Sequence, residues 1–248
     1  MFDALRTARG VARSLRIYYG HRKRDEAMDR LYARFVGPGA LVFDVGAHVG
    51  DRIAAFRRLN AHVVAFEPQP ALVRTLRFMY GRDKAVVIEP LALGAFAGTI
   101  ELKINVDNPT VSTVSESFVA AAKGAVGWAE QSWSKRASVP ITTLDAMIAR
   151  HGVPAFIKID VEGFEAEVLS GLTHPVAALS FEFTTIQREV ALSAIERCLF
   201  LGFQGFDAAL GESHSLVHGD WQSAEMMRRW LVDLPDAANS GDVYAVRR

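Results

Sequence analysis

A chain of 248 residues, 50% of them hydrophobic, is long enough for one large α/β domain or two small ones. Its 28 basic and 28 acidic side chains cancel, which argues against a nucleic-acid partner. The lone Cys198 excludes an intrachain disulfide framework and a cysteine-based zinc site, and no apolar run reaches the roughly 18 residues of a membrane span. The first residues lack the apolar core of a secretory signal, so the expectation is a soluble, cytoplasmic protein.

Residues 1–24 carry Arg6, Arg9, Arg13, Arg16, Arg22, Lys23 and Arg24 against Asp3 alone. Leu5, Ala8, Ala12, Leu15 and Tyr19 recur at helical spacing, which predicts a basic amphipathic helix within an N-terminal segment of residues 1–35. Such a helix packs its apolar side on the domain, covers an anionic ligand as a lid, or makes a weak peripheral contact with a membrane.

From residue 36 onward, short apolar runs alternate with helical patterns. "ALVFDVG" (40–46), "HVVAFEP" (62–68), "AVVIEPLAL" (85–93), "AFIKIDVEG" (155–163) and "VAALSFEF" (176–183) read as buried strands. "DRIAAFRRL" (51–59), "PALVRTLRFMYG" (70–81), "EAEVLSGL" (165–172) and "EVALSAIERCLFLG" (189–202) read as helices. "GFQGFDA" (202–208) and "GDVYAVRR" (241–248) complete seven strands, and their closeness in sequence allows an antiparallel edge. The expected fold is α/β, a mainly parallel sheet with helices on both faces, in one domain over 36–248.

One stretch, about 98–140, breaks the rhythm and reads as an insertion. It opens with an alternating strand, "TIELKIN" (99–105), and continues through polar residues to Trp128 and Trp133. The two tryptophans either stack on a sugar ring or pack the insertion itself. After it, Thr142 and Asp145 have the spacing of a capping box at the start of "TTLDAMI".

"FDVGAHVGDR" (43–52) is a strand, a glycine turn and a helix start, the nucleotide position of a doubly wound sheet. Aligning G-x-G-x-x-G on Gly46 puts His48 and Asp51 where glycines belong. Asp44 and Asp51 would also face a pyrophosphate with carboxylates, so NAD, FAD and ATP are disfavoured. A cationic ligand without phosphate reverses that sign, and S-adenosylmethionine is one. Gly46 and Gly50 would let the backbone approach its methionine part. Glu67, 21 positions after Gly46, would accept hydrogen bonds from ribose hydroxyls or merely cap the next helix.

"FDVGAHVGD", "VVAFEPQP", "LALGAFAG", "VPITTLD" and "IKIDVEGFEAEVLSG" together resemble, in order and spacing, the motifs of the FkbM family of S-adenosylmethionine-dependent methyltransferases, over about residues 35–183. The resemblance implies a Rossmann-like class I methyltransferase fold with a seven-stranded sheet. It implies S-adenosyl-L-methionine as cofactor, bound by Asp44, Gly46, Ala47, His48, Gly50, Glu67, Pro68, Ala92 and Leu93. It implies methylation of a hydroxyl on a small molecule, sugar, glycan or secondary metabolite, with Asn108, Ser112 and Thr113 in the region of the substrate loop. His48 departs from the Asn more usual in the family.

"IKIDVEGFE" sets Lys158, Asp160 and Glu162 on one side of a strand by period two, at the sheet's carboxyl end. A hydroxyl nucleophile must lose its proton, so Asp160 and Glu162 are the candidates for base and substrate-positioning group, in either order, with Lys158 balancing their charge. Glu182 ends the next strand beside them and serves a substrate hydroxyl or, with both, a hard cation; the expectation is substrate binding without a metal. His62, His151, His174, His214 and His218 show no ligand spacing and read as surface or turn histidines. The alternatives to a methyltransferase are a binding protein that keeps the cofactor pocket without catalysis, and an NAD-dependent oxidoreductase.

Overall fold

The computed structural model describes residues 2–248, with side chains from Leu5 onward. The N-terminal segment is two helices, α1 (Phe2–Tyr18) and α2 (Arg22–Tyr32), where the periodicity predicted one. The break follows from what Tyr19 does. Its hydroxyl donates to the Val49 carbonyl at 3.0 Å and lies 2.8 Å from the Tyr80 hydroxyl, so the chain turns where that side chain is anchored in the domain.

The domain continues with β1 (Leu41–Val45), α3 (Asp51–Arg58), β2 (His62–Phe66), α4 (Pro70–Tyr80) and β3 (Val86–Glu89). Next come β4 (Ala92–Leu93), β5 (Gly98–Ile104), α5 (Glu116–Ala122), β6 (Lys135–Thr142) and α6 (Leu144–His151). The chain closes with β7 (Phe156–Ile159), α7 (Glu165–Ser170), β8 (Ala178–Thr184), α8 (Arg188–Phe200), β9 (Gly205–Leu210), α9 (Ala224–Asp233) and β10 (Ser240–Val246).

Seven of these strands form one sheet in the order β3-β2-β1-β7-β8-β10-β9. The first five are mutually parallel, and β10 runs antiparallel to both β8 and β9, which gives the sheet its antiparallel edge. Alternate residues of each central strand enter different cores. Phe43, Val45, Ile157 and Ile159 pack on one face, while Val42 and Phe156 pack with α2 and α3 on the other. Both faces are covered, so these strands read as unbroken apolar runs. The polar residues within them, Asp44 and Lys158, are directly paired in register at the carboxyl ends of β1 and β7. The strand order reverses between β1 and β7, the switch point where ligands bind in such sheets.

Three local expectations are corrected. "AVVIEPLAL" is two strands in two sheets, because Pro90 has no N–H to continue a ladder: β3 stays in the main sheet and β4 joins β6 and β5 in a three-stranded sheet. The capping box on Thr142 is displaced by one residue. Thr143 caps α6 by accepting from the Ala146 N–H, while Asp145 accepts from the Thr173 N–H and hydroxyl and the His174 N–H. His214 is buried in its turn, and His151 meets Glu89 at 2.9 Å. Strand β6 and helix α9 carry no expectation from the sequence, although Ser223 caps α9 and Met227 and Leu231 bury its inner face.

Trp128 and Trp133 pack the insertion. The Trp128 Nε1–H donates to Asn239 Oδ1 at 3.1 Å, the Trp133 Nε1–H donates to the Val111 carbonyl at 2.7 Å, and Trp128 sits edge-on to Phe118. No helix among the described residues is long and apolar enough to cross a membrane.

Candidate functional site

A cavity with about 900 Å³ of empty space opens at the carboxyl ends of β1, β2 and β7. Asp44, Gly46, Ala47, His48, Glu67, Pro68, Ala92 and Leu93 line it from the cofactor set expected of the sequence. Lys158, Asp160, Glu162, Ser112 and Thr113 line it as well. Gly50, Asn108 and Glu182 do not.

The turn after β1 is held by backbone contacts. Gly46 has φ +83°, and a Cβ there would fall 1.7 Å from the Asp160 carbonyl oxygen. The close approach that demands glycine here is to the segment just after β7, and Gly46 also lines the cavity. Gly50, at φ +85°, lies under α4, where a Cβ would meet Tyr80 and Leu76 within 2.8 Å. It is required there by packing, whatever else it touches. His48 and Glu162 are non-glycine residues in the left-handed region, at φ 49° and 58°, and both face the cavity. Such strain persists only where the surroundings over-determine it. Thr113 supplies part of that constraint by donating its hydroxyl to the Glu162 carbonyl at 2.7 Å.

Glu67 accepts from the His48 N–H at 2.9 Å and the Gln69 N–H at 2.8 Å, tying the β1 and β2 turns together. It is not the cap of α4; Gln69 occupies that position. Burial pushes the Glu67 carboxyl up to about 8, against the pull of those two N–H groups. Burial likewise pushes Asp44 up to about 7, with Lys158 acting the other way, and Asp44 Oδ2 has no hydrogen-bond partner. The His48 ring is pushed down to about 4 by burial, so it is neutral at pH 7. It lies edge-on to Tyr18 and 3.3 Å from the Thr110 hydroxyl.

Asp51, which looked hostile to any anion, is neutralised. Arg24 and Arg52 each donate to its Oδ2 at 2.6 Å, and both guanidiniums also reach Glu212. Tyr18, Arg52 and Glu212 belong to the cavity wall, and the sequence analysis missed them. The contacts that join them across the wall, Tyr18 with His48 and Arg52 with Glu212, span 30 and 160 positions, so no local pattern marks them; for Tyr18 the amphipathic stripe of α1 was the nearest signal.

On the opposite wall, Lys158 is fully enclosed and donates to Asp160 at 3.0 Å and Asp242 at 2.8 Å. The Lys158 ammonium holds the Asp160 carboxyl below the usual carboxylate range, overcoming its desolvation. Burial and the Asp160 charge push Glu162 and Glu182 well up. Asp160, Glu162 and Glu182 each present an oxygen within 4.8 Å of the other two. Asn108 instead turns its side-chain amide to Gln131, and Ser112 Oγ accepts from the Asn105 N–H.

Residues 44–236, more than three quarters of the chain, match the methyltransferase FkbM domain. The chain belongs to the FkbM methyltransferase family. Hexuronic acid methyltransferase AglP of Haloferax volcanii is 29% identical over 154 residues, covering 60% of this chain and 57% of that protein. The matched region therefore spans little more than half the length of that relative. Among solved structures, precorrin-6y C5,15-methyltransferase of Geobacter metallireducens is similar at 10% identity and a TM-score of 0.45, over 91% of this chain and 87% of that one. Fibrillarin of Aeropyrum pernix, solved with natively bound S-adenosyl-L-methionine, is similar at 12% identity and a TM-score of 0.46, over 86% and 68%.

The cofactor of the FkbM domain is S-adenosylmethionine, and the NAD-dependent alternative falls away. The cavity suits that cofactor. Asp44 offers an unpartnered buried oxygen to a cationic group. Glu67 has lone pairs left beyond its two backbone donors. The neutral His48 places no positive charge near a sulfonium.

Proposed function

We propose that this FkbM domain transfers the methyl group of S-adenosylmethionine to a hydroxyl oxygen of a sugar, with a hexuronic acid as the first acceptor to test. One observation carries the reading: Asp160, ionised beside Lys158 and with a side chain 33% exposed, faces the same cavity as Asp44 and Glu67. In the reaction the acceptor oxygen forms a bond to the methyl carbon as the carbon–sulfur bond breaks. The hydroxyl proton passes to Asp160, and the products are a methyl ether and S-adenosylhomocysteine. The sulfonium is already a good leaving group, so alignment of the two substrates supplies most of the acceleration and the base supplies the rest.

AglP, named for a hexuronic acid substrate, supports the sugar class. The ionised Asp160 and the strained Glu162 facing the cavity favour catalysis over a binding protein that has lost it. Ser112, Thr110 and Thr113 on the insertion rim are the groups we assign to the acceptor's remaining oxygens.

The test is incubation of the full chain with methyl-labelled S-adenosylmethionine and a panel of free and glycosidically linked hexoses and hexuronic acids. The expected result is label in a methyl ether on a ring hydroxyl, with equimolar S-adenosylhomocysteine. Label in a methyl ester or on nitrogen, with none on ring oxygens, would contradict it.

A further inference from the structure

Two acids of the cavity wall, Asp160 and Glu162, cluster with a third, Glu182, that does not line it. Asp160 and Glu162 stand at the end of β7 and Glu182 near the end of β8, and their nearest oxygens lie within 4.8 Å of one another. Among the described residues, the cation bonded to this group is Lys158, through Asp160, and it is shared with Asp242. Glu165 adds a fourth acid nearby and is already engaged, accepting from the Val161 and Gly163 N–H groups.

Two buried acceptors, one of them within the cluster, have no partner. Glu162 is 5% exposed, and its Oε2 has no hydrogen-bond partner. Gln187 is 3% exposed, and its Oε1 also has none. That oxygen abuts Gly163, where a Cβ would fall 2.4 Å from it, and Gln187 shares a small cleft with Gly163, Glu165 and Glu182. Buried acceptors without donors are costly, and an unpartnered carboxyl oxygen within the cluster, with an unpartnered amide oxygen in the cleft that Glu182 also lines, suits a positive ion.

We propose that Asp160, Glu162 and Glu182 bind a divalent cation of the Mg²⁺ or Mn²⁺ type, whose open positions take two adjacent oxygens of the acceptor. The second half rests on the sugar-hydroxyl reading above; the first half does not. The donor set is all oxygen, which suits hard cations. Adjacent oxygens around Mg²⁺ stand about 2.9 Å apart, so the three side chains would draw together on binding the ion. Asp160 and Glu162 line the main cavity, so the ion has an entry path and an open side. The chemistry also fits. A coordinated hydroxyl is more acidic than a free one, which eases the loss of its proton.

The test uses the full chain stripped with EDTA and titrated with Mg²⁺, Mn²⁺ and Ca²⁺, with no cofactor or acceptor present. The expected result is a saturable rise in melting temperature, and a calorimetric affinity that falls about tenfold or more in Glu182→Gln and in Glu162→Gln. Circular dichroism of each variant in EDTA should match the wild type. Removing a buried acid should leave its melting point no lower at pH 8, which separates lost ligation from misfolding. Absence of any shift with all three ions, or an equal shift in the variants, would overturn the site. Because no acceptor is present, the cation titration stands or falls independently of the sugar reading; Mn²⁺-independent binding of every hydroxylated acceptor would overturn the chelating role alone.

Discussion

Asp160→Asn is expected to lower kcat by about 10²-fold or more, with affinity for S-adenosylhomocysteine close to wild type. The amide keeps the shape of the side chain but cannot take the acceptor's proton. The fold should survive, because Lys158 keeps its 2.8 Å bond to Asp242. Steady-state rates at saturating cofactor and acceptor, with and without added Mn²⁺, measure the effect. The pH dependence has a defined sign. Lys158 depresses the Asp160 pKa, so the wild-type rate should hold through the usual carboxylate range and fall only below it. Glu162→Gln is expected to lower kcat too, through its place in the same carboxylate group. Wild-type rates in both variants across pH would remove the two residues from the chemistry and leave alignment as its source.

Glu67→Ala is expected to weaken S-adenosylhomocysteine binding by about 1.5–3 kcal/mol, roughly 10- to 150-fold. The loss has two parts, the ribose hydroxyls and the backbone N–H groups of His48 and Gln69 that Glu67 now holds. Glu67→Gln separates them, since the amide oxygen still accepts from one N–H. A pH series gives a second signature. The Glu67 carboxyl is raised to about 8 in the free protein, and the ribose prefers the carboxylate. Binding therefore releases a proton below that value, and wild-type affinity should climb as pH rises from about 6 to about 8. Stability of the free protein runs the other way. A carboxyl with a raised folded pKa contributes stability present below its unfolded pKa, and that contribution is lost as pH rises through about 8. An unchanged affinity in Glu67→Ala, with no pH dependence in the wild type, would take Glu67 out of the site.

Much of this arrangement is legible in the sequence because it depends on local order. Buried strands announce themselves as "LVFDV" and "FIKI", and period two places Asp44 and Lys158 on one side of them. "FEP" sets Glu67 at a strand end by the same rule. What escapes the sequence is decided by partners far along the chain. Asp51 looks repulsive until Arg24, 27 residues earlier, folds onto it. His48 looks ambiguous until burial between Tyr18 and Thr110 makes it neutral. Gly46 looks like a ligand glycine and does line the cavity, but the sequence does not show that it must also make room for the Asp160 carbonyl, 114 positions later and just beyond β7. Strand β6 escapes because its "KRASVPIT" is half exposed and carries a proline, so neither apolar run nor clean alternation marks it. Pro90 was visible; that it would divide one run between two sheets was not.

The central claim is that the cavity at the ends of β1, β2 and β7 is built for a cationic, phosphate-free cofactor. Calorimetric titration of the wild-type chain with S-adenosylhomocysteine, S-adenosylmethionine and NAD, each at pH 8, tests it most directly. The account predicts saturable one-to-one binding of the two methionine-derived ligands and none of NAD. Saturable binding of NAD with no heat from either S-adenosyl compound would contradict it.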